Sequence, residues 1–287
     1  MRVPNSLVRE RRDYFLLLLP ALATFSFAVI LPFCLGLSVT FTNWDGLSQS
    51  FEYIGLKNFR TLLQISQFRK IIGNSFYFAI LLTILNNLLA LALALGLNRR
   101  FRGRAVVRAA FFFPACLSTV LASFIWKFIY RDVFSQLFGI KSLLGSMSWA
   151  IPAIVFIVLW NSTGINVLIY LAGLTNIPTE LYEAARVDGA NAWQRFVSVT
   201  VPMLMPSFTV CITMTLISGL KEFGTTMAAT GGGPSGASTT ISIYIYNNLY
   251  AYYQAGYGQA VALVFVLLLV VIGTTLSGRL RSREVEG

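Results

Sequence analysis

The 287-residue chain has no histidine, and carboxylates are sparse, with 11 Asp and Glu against 22 Lys and Arg. Without histidine, the commonest metal ligand and the usual proton shuttle near neutral pH are gone. Three cysteines, Cys34, Cys116 and Cys211, offer neither a disulfide framework nor a metal-binding spacing. Each lies in an apolar run, where a thiol is expected to be a small buried hydrophobe. No G-x4-G-K-[ST] loop occurs, so the chain has no phosphate cradle of its own; Gly231-Gly232-Gly233 is not followed by lysine. Charge of either sign is scarce too. Only 11% of residues are charged, where a soluble domain carries about 25%. No catalytic residue and no metal site are expected, and no internal repeat or low-complexity tract is visible.

What the chain does have is apolar length. Hydrophobic residues make up 56% of it, and the mean hydropathy is +0.70. Six runs emerge: Tyr14–Phe41, Ile72–Leu97, Ala109–Tyr130, Trp149–Leu174, Val201–Leu220 and Gln259–Gly278. Each is long enough to cross a bilayer core of about 30 Å at ~1.5 Å per helical residue. The first exceeds a signal-peptide core and reads as an uncleaved span. With both ends inside, the cytoplasmic side collects 14 basic residues: Arg2, Arg9, Arg11, Arg12, Arg99, Arg100, Arg102, Arg104, Arg108, Arg186, Arg195, Arg279, Arg281 and Arg283. The outer side keeps 8: Lys57, Arg60, Arg69, Lys70, Lys127, Arg131, Lys141 and Lys221. Cytoplasmic loops carry the Lys and Arg excess, so the chain is expected to be N-in/C-in. Its net charge of +11 is thereby a topology signal rather than a nucleic-acid footprint. The loop between the first two spans, polar with interspersed aromatics, reads as a lid or amphipathic segment at the outer interface.

One long polar segment interrupts the second half, residues 177–206. Thr179 is expected to cap a helix with Leu181, Ala184 and Ala185 on one face and Glu183 and Arg186 on the other. Gly189 stands where a helix end wants a left-handed residue, a conformation costing other residues about 1–2 kcal/mol. Asn191 and Gln194 have the spacing of a capping box that restarts a second helix, lined on one side by Trp193, Phe196, Val197 and Thr200. Pro202 and Pro206 mark the entry into the fifth span.

Glu183-Ala184-Ala185, then Gly189, then Val199 and Val201-Pro202 resemble the EAA loop of ABC-importer permeases, E-A-A-x3-G-x9-I-x-L-P. The two valines replace Ile and Leu and keep the apolar character. Thr230-Gly231-Gly232-Gly233-Pro234 is similar to the T-x-G-G-P that follows the fifth span in MalF-like permeases of the sugar type. Ile54-Gly55-Leu56-Lys57-Asn58-Phe59 and Asn74-Ser75-Phe76 also resemble such permeases. Leu19-Pro20-Ala21 points to the MalF-like half, and the tail lacks the Q-R-x-F of the MalG-like half. The resemblance implies an all-α membrane protein with six transmembrane helices and the type I ABC-importer permease fold. It implies one transmembrane domain, 1–287, with a core at 72–278 and the coupling loop at 177–202. The place is a bacterial or archaeal inner membrane. Expected partners are a second, MalG-like permease, two copies of an ATP-binding subunit, an extracytoplasmic solute-binding protein and a sugar, without nucleic acid. No cofactor is expected on this chain, ATP-Mg being bound by the partner ATPase. Coupling falls to Glu183, Ala184, Ala185, Asp188, Gly189 and Ala190.

Polar groups at membrane depth are costly unless they line a cavity or pair with each other. MalF-like permeases hold their sugar with segments matching the fourth span and the end of the fifth. Trp160, Asn161, Ser162, Ile165 and Asn166, with Ser218, Gly219 and Glu222, are therefore the substrate-binding candidates. For the amides and hydroxyls the competing role is bonding between helices, which is also the reading for Asn86 and Asn87. An ion-coupled transporter would want a carboxylate or histidine within a span, and the spans carry none away from their ends. A membrane enzyme would want clustered acids to hold a metal, and the acids are scattered. The substrate stays open among sugars and polyols such as glycerol phosphate. The orientation is testable: with the native cysteines replaced, a cysteine at Asp188 should react with an impermeant maleimide in inside-out vesicles only. Labelling of intact cells would reverse the topology.

Overall fold

The computed structural model describes residues 17–99, 101–139 and 142–284. The N-terminal arginines, the first residues of the first run (Tyr14 onward), Arg100 and Lys141 lie outside the described residues. In chain order the helices are α1 (Leu17–Val39), α2 (Lys57–Gln64), α3 (Ser66–Asn98), α4 (Arg104–Cys116), α5 (Thr119–Phe138) and α6 (Ala150–Thr175). Then come α7 (Thr179–Val187), α8 (Ala192–Met203), α9 (Met205–Leu220), α10 (Gly224–Ala229), α11 (Ile241–Tyr246) and α12 (Ala255–Arg281). Extended pairing among the described residues is limited to an isolated bridge between Thr42 and Tyr53.

Four helices, α1, α3, α6 and α12, are long and apolar enough to cross a bilayer alone, and the bent pairs α4–α5 and α8–α9 bring the number to six. The third run, expected as one span over Ala109–Tyr130, is instead broken, α4 meeting α5 at 103°. Pro114 sits in a tight turn that closes α4, and Ser118 caps α5 by accepting the Leu121 N–H at 3.2 Å. A proline without a donor and a serine that caps are enough to end one helix and start another. The fifth run is corrected as well. Val201–Met203 belongs to α8, and α9 leaves it at 67° across Leu204, between Pro202 and Pro206.

The packing of the described residues falls into two compact units, 17–64 with 245–264, and 65–244 with 265–284. In the first, Asp45 accepts the amides of Leu47 and Ser48 and the Ser48 hydroxyl at 2.6–2.8 Å. The Ser48 hydroxyl bond leads these in holding the Asp45 carboxyl down to about 2. In the second unit α6 is the centre, with 14 of its 26 residues buried and Phe156, Ile165 and Leu168 left exposed. One core surrounds its first half, with Ile154, Val155 and Ile157 against Phe78, Leu82 and Ala122. A second surrounds its last half, with Val167, Tyr170 and Leu171 against Ala90, Ala94, Leu204 and Cys211.

Of the three cysteines only Cys211 is buried; Cys34 and Cys116 are exposed, correcting the expectation for both. An apolar run in a membrane protein has lipid as well as protein to face, so apolar sequence does not mean a protein contact. Gly219 marks a close approach between two helices. A Cβ there would stand 2.9 Å from the Ala79 Cα, so a bare backbone lets α9 press on α3. Gly219→Val is therefore expected to cost about 1–3 kcal/mol through overpacking, read as a lower melting temperature in detergent. An unchanged melt would mean the two helices are not in contact.

Candidate functional site

The segment after α6 forms an elbow of two helices. Pro178 precedes α7 in an extended conformation, and no side chain caps the helix. Thr179 is thus the first helical residue rather than its cap, a correction with a plain cause. Proline fixes its own φ in a range that suits the entry to a helix, which moves the boundary one residue upstream. At the other end the Ala190 N–H reaches the Ala185 carbonyl at 2.9 Å and the Gly189 N–H reaches Arg186 at 3.0 Å. These are the paired bonds of a Schellman ending, and Gly189 adopts the left-handed φ of +79° that such an ending needs. Nothing lies within 4 Å of the place a Cβ would take. Backbone conformation, not crowding, calls for glycine here.

The second arm restarts at once. Asn191 accepts the Gln194 N–H at 2.9 Å, and the Gln194 side chain accepts the Asn191 N–H at 2.8 Å, completing the expected capping box. Arg195 donates to the Ala190 carbonyl at 2.9 Å, and the hydroxyls of Tyr182 and Thr200 share a hydrogen bond of 3.0 Å. Two helices tied across their bend in this way move as one piece. The Tyr182 bond also decides the inner face of α7, which is Tyr182 with Ala185. Leu181 and Ala184 are exposed instead, beside Glu183, Asp188 and Gly189, so the face expected for Leu181 and Ala184 is corrected. Large apolar groups stand out on this elbow, Val187 at 89% exposure and Trp193 at 70%.

The substrate candidates do not gather in one place. Ser162 and Asn166 enter a hydrogen-bonded network with α3 and α9. Asn166 Nδ2 donates to Asn86 Oδ1 at 2.7 Å and to Thr215 Oγ1 at 2.8 Å, and Asn86 Nδ2 donates to Ser162 Oγ at 2.9 Å. One turn on, the Tyr170 hydroxyl donates to Asn87 Oδ1 at 2.7 Å. Asn161 serves the break between α4 and α5, donating to the carbonyls of Pro114 at 2.6 Å and Leu117 at 3.2 Å. Trp160 stacks edge-on against Trp126, centroids 5.7 Å apart, and borders a cavity of about 190 Å³ with Leu89, Phe111 and Thr163. Ile165 and Ser218 are exposed, and Gly219 is buried in the contact with α3. Glu222 lies past the end of α9. Its carboxylate accepts the Thr225 N–H at 2.6 Å; burial raises its proton affinity, and that bond opposes the rise. Thr215 was missed from sequence. The spacing of Ser162, Asn166 and Tyr170, each four residues on, puts them on one face of α6 and is the signal that could have found the network.

Spans continuous and broken, with a helical elbow among them and no nucleotide cradle, make the architecture of a membrane transport subunit. Residues 87–284 match the family described as binding-protein-dependent transport system inner membrane component. The chain belongs to that family, as a multi-pass permease subunit of an ABC importer. Its relatives include the multiple sugar-binding transport system permease protein MsmF of Streptococcus mutans, 34% identical over 84% of this chain and 86% of that one. A probable starch degradation products transport system permease protein, AmyD of Thermoanaerobacterium thermosulfurigenes, is 32% identical over 95% of each. The trehalose/maltose transport system permease protein MalF of Thermococcus litoralis is 33% identical over 93% of this chain and 92% of its own. The crystal structure of a bacterial ABC transporter involved in the import of the acidic polysaccharide alginate shares the fold. It superposes with a TM-score of 0.83 over 97% of this chain and 99% of that one, at 24% identity.

Buried amide bonds of this kind contribute about 0.6 kcal/mol each and up to ~1.7 in a membrane bundle. Asn166→Leu should lower the melting temperature accordingly, and Asn86→Leu with Asn166→Leu should cost less than the sum of the two. Strict additivity in that double-mutant cycle would show that the pair is not bonded.

Proposed function

We propose that this chain is one half of the membrane pathway of an ATP-driven sugar importer, and that the α7–α8 elbow carries the ATPase stroke into the spans. The carrying observation is the elbow itself: a bend tied by hydrogen bonds whose exposed side presents Ala184 and Gly189 beside Glu183 and Asp188, two carboxylates without an ion pair among the described residues. Small side chains allow close approach to a groove on another protein. An exposed carboxylate offers it a charge-assisted hydrogen bond. Ala185 and Ala190, half-buried behind that surface, set its distance from the bundle.

ATP-Mg binding and hydrolysis are assigned to two copies of a separate ATP-binding subunit. A second, MalG-like permease completes the pathway, and an extracytoplasmic solute-binding protein delivers the substrate. The sugar class is supported by relatives named for multiple sugars, starch degradation products and trehalose/maltose. Along the path, the Trp160 ring offers an apolar face to the C–H side of a sugar. Asn161, Ser162 and Asn166 are proposed to exchange protein bonds for sugar hydroxyls as the spans shift, with Ile165, Ser218, Gly219 and Glu222 completing the contacts.

Glu183→Lys reverses the charge at the anchor, and Gly189→Asp puts a strained, charged residue at the bend. Each is expected to cut ATP-driven uptake about 5- to 150-fold, the range of one lost coupling interaction, while membrane insertion is unchanged. Uptake assays beside immunoblots of the membrane fraction check this. Normal transport by either variant removes the coupling assignment.

A further inference from the structure

Within the unit built from residues 17–64 and 245–264 there is a second pocket, of about 260 Å³, on the side the charge distribution places outside. It is lined by Trp44, Lys57, Thr61, Tyr253, Gln254 and Tyr257. Its walls are fixed by hydrogen bonds. Asn58 Nδ2 donates to the carbonyls of Thr40 and Thr42, both at 2.9 Å, and Asn43 Oδ1 accepts the Glu52 N–H at 2.8 Å. The Trp44 indole donates to the Ser48 carbonyl at 2.8 Å, and the Gly256 N–H donates to the Trp44 carbonyl at 2.8 Å. Those amides are spent on the protein.

Three polar groups on the same pocket are not. The Lys57 ammonium, the Thr61 hydroxyl and the Gln254 side-chain amide are exposed to solvent and hold no protein hydrogen-bond partner among the described residues. Beside them Tyr253 has a φ of +52°, a conformation that side-chain-bearing residues seldom adopt and that gathers at ligand sites. Aromatic faces beside three polar groups free to bond a ligand in place of water suit one class of ligand well. A pyranose has an apolar C–H face and a rim of hydroxyls that both donate and accept. The volume falls just under the ~300 Å³ at which small-molecule pockets usually begin, which is room for one ring rather than a chain. We propose that this pocket is an outer subsite for a single glycosyl unit of the transported sugar, an inference that rests on the sugar-import reading above.

The test uses the complete transporter in lipid nanodiscs, probed by saturation-transfer NMR with maltotriose, raffinose and a mannuronate trisaccharide. Lys57→Ala with Gln254→Ala removes two of the unpaired groups, and Thr61→Val removes a hydroxyl at nearly constant shape; none of these groups holds the fold by hydrogen bonding. At least one sugar should receive saturation on its ring protons in the wild type. The signal should fall about fivefold or more in the double variant, as expected for losing hydrogen bonds to a bound ligand, and less in Thr61→Val. Half-saturation for uptake should rise with the maximal rate retained. A full signal in the double variant with normal sugar uptake overturns the subsite and leaves the import reading standing. Weaker capture of the unloaded solute-binding protein by the double variant also overturns it, making the pocket a protein-docking face. If the wild type neither binds nor imports any sugar tried, the import reading fails and the subsite with it.

Discussion

Helices in a bilayer gain nothing from leaving water when they meet each other, since lipid tails are as apolar as leucine. What holds the larger unit in one arrangement is therefore close packing and a few hydrogen bonds made where no water competes. Asn166 is the centre of them, donating to Asn86 on α3 and to Thr215 on α9. With Asn86 at 1% and Asn166 at 7% exposure, neither amide has an alternative partner in solvent. The register of α3, α6 and α9 follows from this, and the bare backbone at Gly219 follows with it, because α9 must come close enough for Thr215 to reach.

The broken spans obey the same constraint from the other direction. A backbone that stops being helical at membrane depth leaves carbonyls without partners, and in hydrocarbon each must be satisfied by protein. Asn161 does this for Pro114 and Leu117 at the α4–α5 break. The second bend, between α8 and α9, turns about Leu204, which is fully buried in the core formed with Tyr170 and Leu174. The elbow is thus joined to the amide network through packed and bonded residues: Tyr182 to Thr200, Thr200 into α8, Leu204 at the bend, and Thr215 on α9. The coupling role proposed for α7 rests on this packed and bonded path into the spans.

Local chemistry was readable from the sequence wherever it involved neighbours in the chain. The capping box of Asn191 and Gln194 and the left-handed Gly189 both appear as expected, since a cap and a helix ending need only a few consecutive residues. Thr179 was misplaced because the preceding proline serves the entry as well as a hydroxyl would. The inner face of α7 could not be read either. Leu181 and Ala184 are the more apolar pair, but Tyr182 finds a partner in Thr200, 18 residues away. The same holds for Cys34 and Cys116, whose apolar neighbours in sequence do not say whether lipid or protein lies beside them.

Amino-acid order alone determined the class of molecule, the number of apolar runs and the spacing that marks its family. Those features come from hydropathy, charge and short-range backbone chemistry, which act along the chain. Which span is broken, which amides bond to each other and which stay open to a ligand were decided only by the folded arrangement. The same asparagine is glue or contact depending on what a distant helix brings within 3 Å of it, and no local pattern carries that distance.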